Sequence, residues 1–339
     1  MVAFTICCNN YFARAMALAE SFLQLNDEDC FYLIISDINQ PSINYPQNEK
    51  IKTRFIEEIE PNYNELIEKY CTVELATSIK ASACIYLLKE NEQIVYFDPD
   101  IYLYSKMDEL KEMFVENDII LTPHILTPIK IDNKTPSEIP FQQVGVFNLG
   151  FIALKRTVNS KAFLVWWKER LLNLCYIDVG NGLFTDQIFI THVPIFFDKV
   201  LIIKDFGYNM APWNLHERFL TKKGDKYLVN DIYELKFYHF SSYKLNSLEL
   251  PIEKYDRFNI RGRNDLLEIY QKYNNQLLKF KDFNYSTLTP QFEKVRILKI
   301  QSEFSKKSFH RRLFWGLIRK IPKKIRLKTI YFLNKSFSN

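Results

Sequence analysis

The sequence predicts an α/β fold: a mixed, mainly parallel, Rossmann-like sheet with helices on both faces, followed by a helical, basic C-terminal segment. Three observations carry this expectation. Short apolar, β-branched runs alternate with longer stretches of helical period, the order that builds a covered parallel sheet. The 339 residues are 47% hydrophobic, enough to fill a sizeable core. Only 8 glycines and 13 prolines occur, without low-complexity tracts or internal repeats, so linkers and repeat arrays are not expected.

Taken in order, "VAFTICC" reads as the first strand, and "ARAMALAESFLQLN" after "NNY" as a helix with a small, apolar buried face. "FYLIISDI" and "KTRFIEEI" follow as strands, "ELATSIKASACIYLLKEN" as one helix and "EQIVYFDPD" as a further strand. Next come the helix "DELKEMFVEN", the strand "DIILTPHI" and a long polar stretch, "LTPIKIDNKTPSEIPFQQVG". Loops of that length are usually functional. "VFNLGFIALK" reads as a strand and "NSKAFLVWWKERLLNLCYI" as a helix with Trp166 and Trp167 in the core. "TDQIFITHV" reads as a helix opening on a threonine cap. "IYELKFYHFSSYK" closes the sheet, and beyond residue 260 the pattern turns helical and basic. The expected division is therefore 1–260 and 261–339.

The formal charge of +5 conceals an asymmetry: residues 290–339 hold 14 Lys and Arg against 2 Asp and Glu, which leaves −7 on the first 289 residues. A nucleic-acid partner is not expected of an acidic body. The tail mixes its charges with Trp315, Ile318, Ile325 and similar side chains, a composition suited to an anionic membrane surface. Six cysteines without a C-x-x-C pair suggest reduced thiols. With no signal-peptide pattern and no long apolar run, the expectation is a cytoplasmic protein, peripheral on the inner face of the plasma membrane through its tail.

"VYFDPDIYLY" places Asp98 and Asp100 around a proline at the end of an apolar strand. Residues two apart on a strand share a side, Pro99 ends the ladder, and ligands of parallel sheets bind at the carboxyl ends of strands. Two carboxylates there suit a hard divalent cation, Mn²⁺ or Mg²⁺, that holds phosphates. Taken alone, Asp-Pro is also an ordinary turn, and His239 between Tyr238 and Phe240 reads as a packing residue.

In this order, "FTICCNNYFARAMALAESF", "YFDPDIYLY", "FNLGFIAL", "TDQIF", "GYNMAPWNL" and "HFSSYK" resemble the motifs of GT-A-type nucleotide-sugar glycosyltransferases. The similarity is to the retaining family that includes bacterial lipopolysaccharide galactosyl- and glucosyltransferases and glycogenin, and it spans residues 2–244. The resemblance implies a GT-A catalytic domain and a metal site of Asp98, Asp100 and His239. It implies donor contacts from Ile6, Asn9 and Asn10 to base and ribose, from Lys244 to the diphosphate, and from Asp186, Gln187 and Asn148 around the reacting carbon. A basic residue on the helix before the aspartates is arginine in the family; here Lys80 is offered in its place, and Asp98 counts with it among the donor-binding residues. The opening loop has Cys8 and Asn9 where the family has an acidic residue, and Ser241 and Leu245 replace family residues near the late histidine.

The reaction implied is transfer from a nucleoside-diphosphate sugar, with UDP favoured, to a glycan or lipid-linked hydroxyl acceptor in cell-surface glycan synthesis. The group Trp213, Asn214, His216, Glu217 and Arg218 is expected near the sugars. Two other classes compete: an Mg-dependent nucleotidyl- or phosphotransferase, although no Gly-rich phosphate loop occurs, and a peripheral membrane adaptor acting through the tail.

Overall fold

The structure, a computed structural model, describes residues 2–245, 255–258 and 263–305. Its strands are β1 (Val2–Cys7), β2 (Cys30–Ile35), β3 (Ile51–Phe55), β4 (Gln93–Phe97), β5 (Ile101–Leu103), β6 (Ile119–Pro123), β7 (Phe147–Lys155), β8 (Ile177–Asp178), β9 (Leu183–Phe184), β10 (Val200–Ile202), β11 (Leu220–Lys223), β12 (Lys226–Val229), β13 (Tyr233–Glu234) and β14 (Phe237–His239). The helices are α1 (Phe12–Leu25), α2 (Ile56–Ile59), α3 (Tyr63–Lys69), α4 (Thr72–Ser78), α5 (Lys80–Leu87), α6 (Glu109–Glu116), α7 (Ile139–Val144), α8 (Val158–Leu174), α9 (Val193–Phe196), α10 (Leu267–Lys279), α11 (Asp282–Tyr285) and α12 (Gln291–Ser305).

Seven strands form the main sheet in the order β10-β6-β7-β4-β1-β2-β3. All neighbours are parallel except β7, which is antiparallel to β4 and β6. The mixed, mainly parallel sheet is thus as the alternation of patterns predicts. Both faces are buried, which explains the unbroken apolar runs. Ala3, Phe31, Val95 and Ala153 share a core with Leu18 and Phe22 of α1 and with Leu110 and Phe114 of α6. On the opposite face, the ammonium of Lys80 at the start of α5 sits 4.1 Å from the centre of the Tyr96 ring.

The antiparallel strand matters for chemistry. Because β7 runs against β4, its first residues lie beside the last residues of β4, and the Asp98 amide donates to the Gly150 carbonyl at 2.8 Å. Asn148 is thereby delivered to the edge where β1 and β4 end.

Several local expectations change. The run "KTRFIEEI" leaves the strand at Phe55, where the Glu58 carboxylate accepts the Phe55 amide at 2.8 Å and starts a helical turn. The helix expected across 74–91 is broken at Ile79 into α4 and α5, which puts Lys80 at a helix start. Thr185 does not cap a helix: it has φ 45°, and a short 3-10 turn begins only at Ile188. The final strand is two pieces, β13 and β14, in different sheets. Trp167 is fully buried, as expected, whereas Trp166 is only half-buried, against Phe196 and Phe197.

Contacts divide the chain into compact units of Met1–Gln291 and Phe292–Asn339. Helices α10 and α11 lie in the first unit. Tyr273 of α10 stacks on Phe240 with ring centres 3.9 Å apart, and Arg14 of α1 pairs with Asp282 of α11 at 3.5 Å. In the second unit, Arg296 and Glu293 of α12 pair at 3.0 Å. The stretch of residues 306–339, expected to seek an anionic membrane, lies outside the described residues. Among the described residues, no helix is long and apolar enough to cross a membrane.

Candidate active site

The β4 strand stops at Phe97, and Asp98–Asp100 form a turn closed by the Ile101 amide donating to the Asp98 carbonyl at 3.1 Å. Proline ends the strand as its missing N–H requires. The turn, rather than a shared strand face, sets the direction of the two carboxylates. The chain then re-enters as β5, which pairs antiparallel with β14 so that His239 lies opposite Ile101. The Phe240 amide donates to the Asp100 carbonyl at 2.8 Å. This register brings His239 Nε2 to 3.0 Å from Asp100 and 3.9 Å from Asp98. One ligand atom from each of the three residues lies within 4.8 Å of the others.

Behind Asp98 stands an ammonium that does not reach outward. Lys80 Nζ pairs with Asp186 at 2.5 Å, donates to the Leu149 carbonyl at 2.8 Å and lies 3.7 Å from Asp98. Its side chain is 2% exposed, so the ammonium is held among these partners. Tyr96 donates its hydroxyl to the same Asp98 oxygen at 2.6 Å. The Asp186 backbone is fixed in turn by the Trp167 indole, which donates to its carbonyl at 3.1 Å.

Asn148 is held between two neighbours. Its Oδ1 accepts the Gly150 amide at 3.3 Å, and its Nδ2 lies 3.3 Å from His124 Nε2. That orientation makes Nε2 of a neutral His124 the acceptor. Gly150 itself leaves room for the site: a Cβ there would lie 2.7 Å from the His239 ring and 2.8 Å from Asn148 Oδ1. Gly145 does the same beside Gln187, whose carbonyl would lie 2.9 Å from an added Cβ.

One cavity of about 700 Å³ gathers Asp98, Asp100, His239, Lys80, Asp186, Gln187 and Asn148 with Ile6 and Asn10. Two expected residues stand apart. Asn9 lies behind the wall, its side chain fully engaged: Nδ2 donates to Asp37 and to the Ile38 carbonyl, both at 3.0 Å, and Oδ1 accepts from Tyr45 at 2.7 Å. Lys244 is exposed and does not line the cavity. Of the group 213–218, only Trp213 reaches it, with its ring edge-on to His239 at 5.1 Å. The sequence reading missed His124 and Tyr96, both of which line the cavity. The only sequence signal for either is position, at or just beyond the end of a strand.

The charges are interdependent. Burial raises the pKa of Asp98 against the opposing pull of Lys80 and His239. At Asp100 burial acts the same way, but His239 and Arg14 outweigh it and the pKa falls. Burial lowers His239 and Lys80, yet the carboxylates beside each win and both are raised. His124 has no carboxylate to oppose burial, which pushes it down to about 4.

The three-residue group fits a divalent cation. Two carboxylates and an imidazole are the donor set of a hard or borderline ion such as Mg²⁺ or Mn²⁺. The buried Nδ1 of His239 has no hydrogen-bond partner among the described residues, while Nε2 faces the aspartates.

No protein-family model matches the chain. It is similar to the uncharacterized protein YfnF of Bacillus subtilis (strain 168), 25% identical over 288 residues that cover 82% of this chain and 92% of the relative. It is also similar to the uncharacterized protein YfnD of the same organism, 23% identical over 190 residues, covering 54% of this chain and 56% of that one. Among solved structures, the galactosyltransferase LgtC, in complex with donor and acceptor sugar analogs, is similar with a TM-score of 0.48 at 13% identity, over 87% of this chain and all of that one. The glycosyltransferase GlyE of Streptococcus pneumoniae TIGR4 has a TM-score of 0.46 at 15% identity, over 85% of this chain and 65% of that one. The bifunctional glycosyltransferase WbbM reaches 0.49 at 12% identity, over 85% of this chain and 51% of that one. All three are glycosyltransferases; with each score below 0.5, the functional reading of this chain rests on its own site.

Proposed function

We propose that the protein is a metal-dependent glycosyltransferase that moves a sugar from a nucleoside-diphosphate donor, UDP-linked for preference, to a hydroxyl acceptor with retention of configuration. The observation that carries this reading is the convergence of Asp98, Asp100 and His239 on one cavity that also holds the Lys80–Asp186 pair. An ion pair that buried, next to a cluster of ligands, is the arrangement expected where charge develops in a reaction. Asp98, Asp100 and His239 would hold Mn²⁺ or Mg²⁺, which supplies Lewis-acid stabilisation of the departing diphosphate.

The chain's own groups do the rest. The bond from the anomeric carbon to the diphosphate oxygen breaks and one to the acceptor oxygen forms, through a centre with oxocarbenium character, while the acceptor's hydroxyl proton passes to the departing diphosphate. Asp186, paired with and aimed by Lys80, sets negative charge beside that centre. Gln187 and the Asn148 amide orient sugar hydroxyls, and Ile6 and Asn10 form the nucleoside wall. Lys80 serves as a positioning residue for Asp186 and Asp98 rather than as a phosphate ligand, because its buried ammonium is turned to Asp186, Asp98 and the Leu149 carbonyl. The acceptor is a glycan or lipid-linked glycan of the cell surface, and the basic tail brings the catalytic unit to an anionic membrane.

Thermal melting with a panel of sugar nucleotides, with and without Mn²⁺, tests the reading. The matching donor raises the melting temperature only with metal. In Asp100→Asn that rise disappears and transfer falls about 10²–10³-fold, the loss typical for removal of one electrostatic contact to the transition state. A nucleoside triphosphate acting in place of every sugar nucleotide would sink the reading.

A further inference from the structure

The long polar stretch before β7 builds the other side of the cavity. Its helix α7 contributes Pro140, Phe141 and Val144 to the lining, and its end is packed on the Gln187 carbonyl at Gly145. Phe141 shares a small core with Ile129, Ala211 and Trp213, against which Tyr255 packs. Tyr255 is half-buried and faces the same cavity as the carboxylates.

What holds Tyr255 there is an unusually dense clip at the next two positions. Arg257 grips Asp132 with two hydrogen bonds of 3.0 and 2.7 Å and donates to the Pro136, Lys130 and Lys134 carbonyls. The Arg257 amide donates to the Thr135 carbonyl at 3.0 Å, and Asp256 accepts the Thr135 hydroxyl at 2.9 Å. A planar guanidinium in a bidentate grip fixes direction as well as distance.

We propose that Tyr255, backed by Trp213 and Phe141, is the wall on which an uncharged sugar ring of the acceptor stacks, and that the Arg257–Asp132 clip positions it. This rests on the glycosyl-transfer reading. Aromatic side chains give rigid apolar faces with specific geometry, the form of contact that the C–H face of a pyranose ring matches. Charge points to the same ligand. The lining cation among the described residues, Lys80, is committed to Asp186, and the Arg257 donors are spent on the clip. The remaining charged lining groups are the carboxylates and His239 of the donor side. A phosphate or carboxylate on the acceptor would therefore meet repulsion, with no uncommitted cation among the described lining residues to offset it.

The test uses the whole chain with UDP and Mg²⁺. Saturation-transfer NMR is read on methyl hexopyranosides, a methyl glucuronoside and a hexose phosphate. Neutral hexosides are expected to show saturation that Tyr255→Phe keeps and Tyr255→Ala loses by about tenfold. Arg257→Met is expected to lose hexoside binding as well, while the nucleotide-dependent rise in melting temperature stays in both variants, which shows that the fold and donor side are intact. Undiminished saturation in Tyr255→Ala, or a stronger signal from the hexose phosphate than from neutral hexosides, overturns the proposal. Tyr255-dependent hexoside binding without any stabilisation by nucleoside diphosphates and metal would instead leave this wall standing and remove the donor reading alone.

Discussion

Glu217 is a buried carboxylate and Asp100 a half-buried one, each with an imidazole beside it, yet only one of them is available for chemistry. Glu217 accepts the Leu126 amide at 3.0 Å and the Thr127 amide and hydroxyl at 2.6 and 2.8 Å, so it is consumed in pinning a loop. Its neighbours behave alike: Asn214 holds the His124 and Asn209 carbonyls, and Arg218 holds that of Tyr208. Asp100 has His239 on one oxygen and faces a cavity. The same contrast separates Asn9, whose side chain is fully engaged, from Asn10, which lines the cavity. A dense polar stretch marks a functional site only where hydrogen-bonding capacity is left over.

The largest effect should come from breaking the one element that belongs to both kinds of region. Lys80 is paired internally yet stands in the cavity, and Lys80→Met leaves Asp186 without its counter-charge and Asp98 with one fewer. Removing one partner of a buried pair costs about 3–5 kcal/mol, so chemical denaturation should show a lowered midpoint. Donor-dependent stabilisation measured below that midpoint should fall as well, since Asp98 loses a neighbour that balances it. An unchanged midpoint would mean the pair is not closed in solution.

A smaller effect is expected at Glu217. Glu217→Gln keeps the shape but replaces charge-assisted acceptors by a single amide oxygen, which should cost about 1–3 kcal/mol. Metal-dependent stabilisation by the donor should persist in this variant, the reverse of the outcome for Asp100→Asn. Loss of metal binding here would erase the distinction between spent and unspent carboxylates.

The smallest effect is a pH dependence at His124. Its folded pKa of about 4 lies below the ordinary value of 6.5, so below that ordinary value the unfolded chain binds a proton that the folded chain refuses. The stability it contributes is therefore complete above 6.5 and is lost as pH falls toward 4, by about 1.4 kcal/mol per pH unit. Melting curves across this window should be flatter for His124→Gln than for the parent. Equal slopes would place a charged or solvated imidazole next to Asn148.

Periodicity was enough to read the sheet, because alternation of apolar runs depends only on neighbours in the chain. It misread places where a side chain competes locally with the backbone: Glu58 bends the chain after β3, and Thr185 takes a left-handed conformation just ahead of Asp186. Such residues answer to their surroundings rather than to propensity.

By itself, the sequence determined the alternating α/β order and the end of a strand ahead of Pro99, which leaves two carboxylates at the sheet edge. Each follows from interactions within a few residues. That Asp100 and His239 meet was decided by the antiparallel register of β14 on β5, two strands far apart in the chain. Tertiary structure also decided that Lys80 turns inward to Asp186, that Asn10 rather than Asn9 faces the cavity, and that Tyr255 is clipped against a loop that precedes it by more than a hundred residues. Pairings of this kind depend on which partners the folded chain brings within hydrogen-bonding distance, and neither spacing nor composition records that.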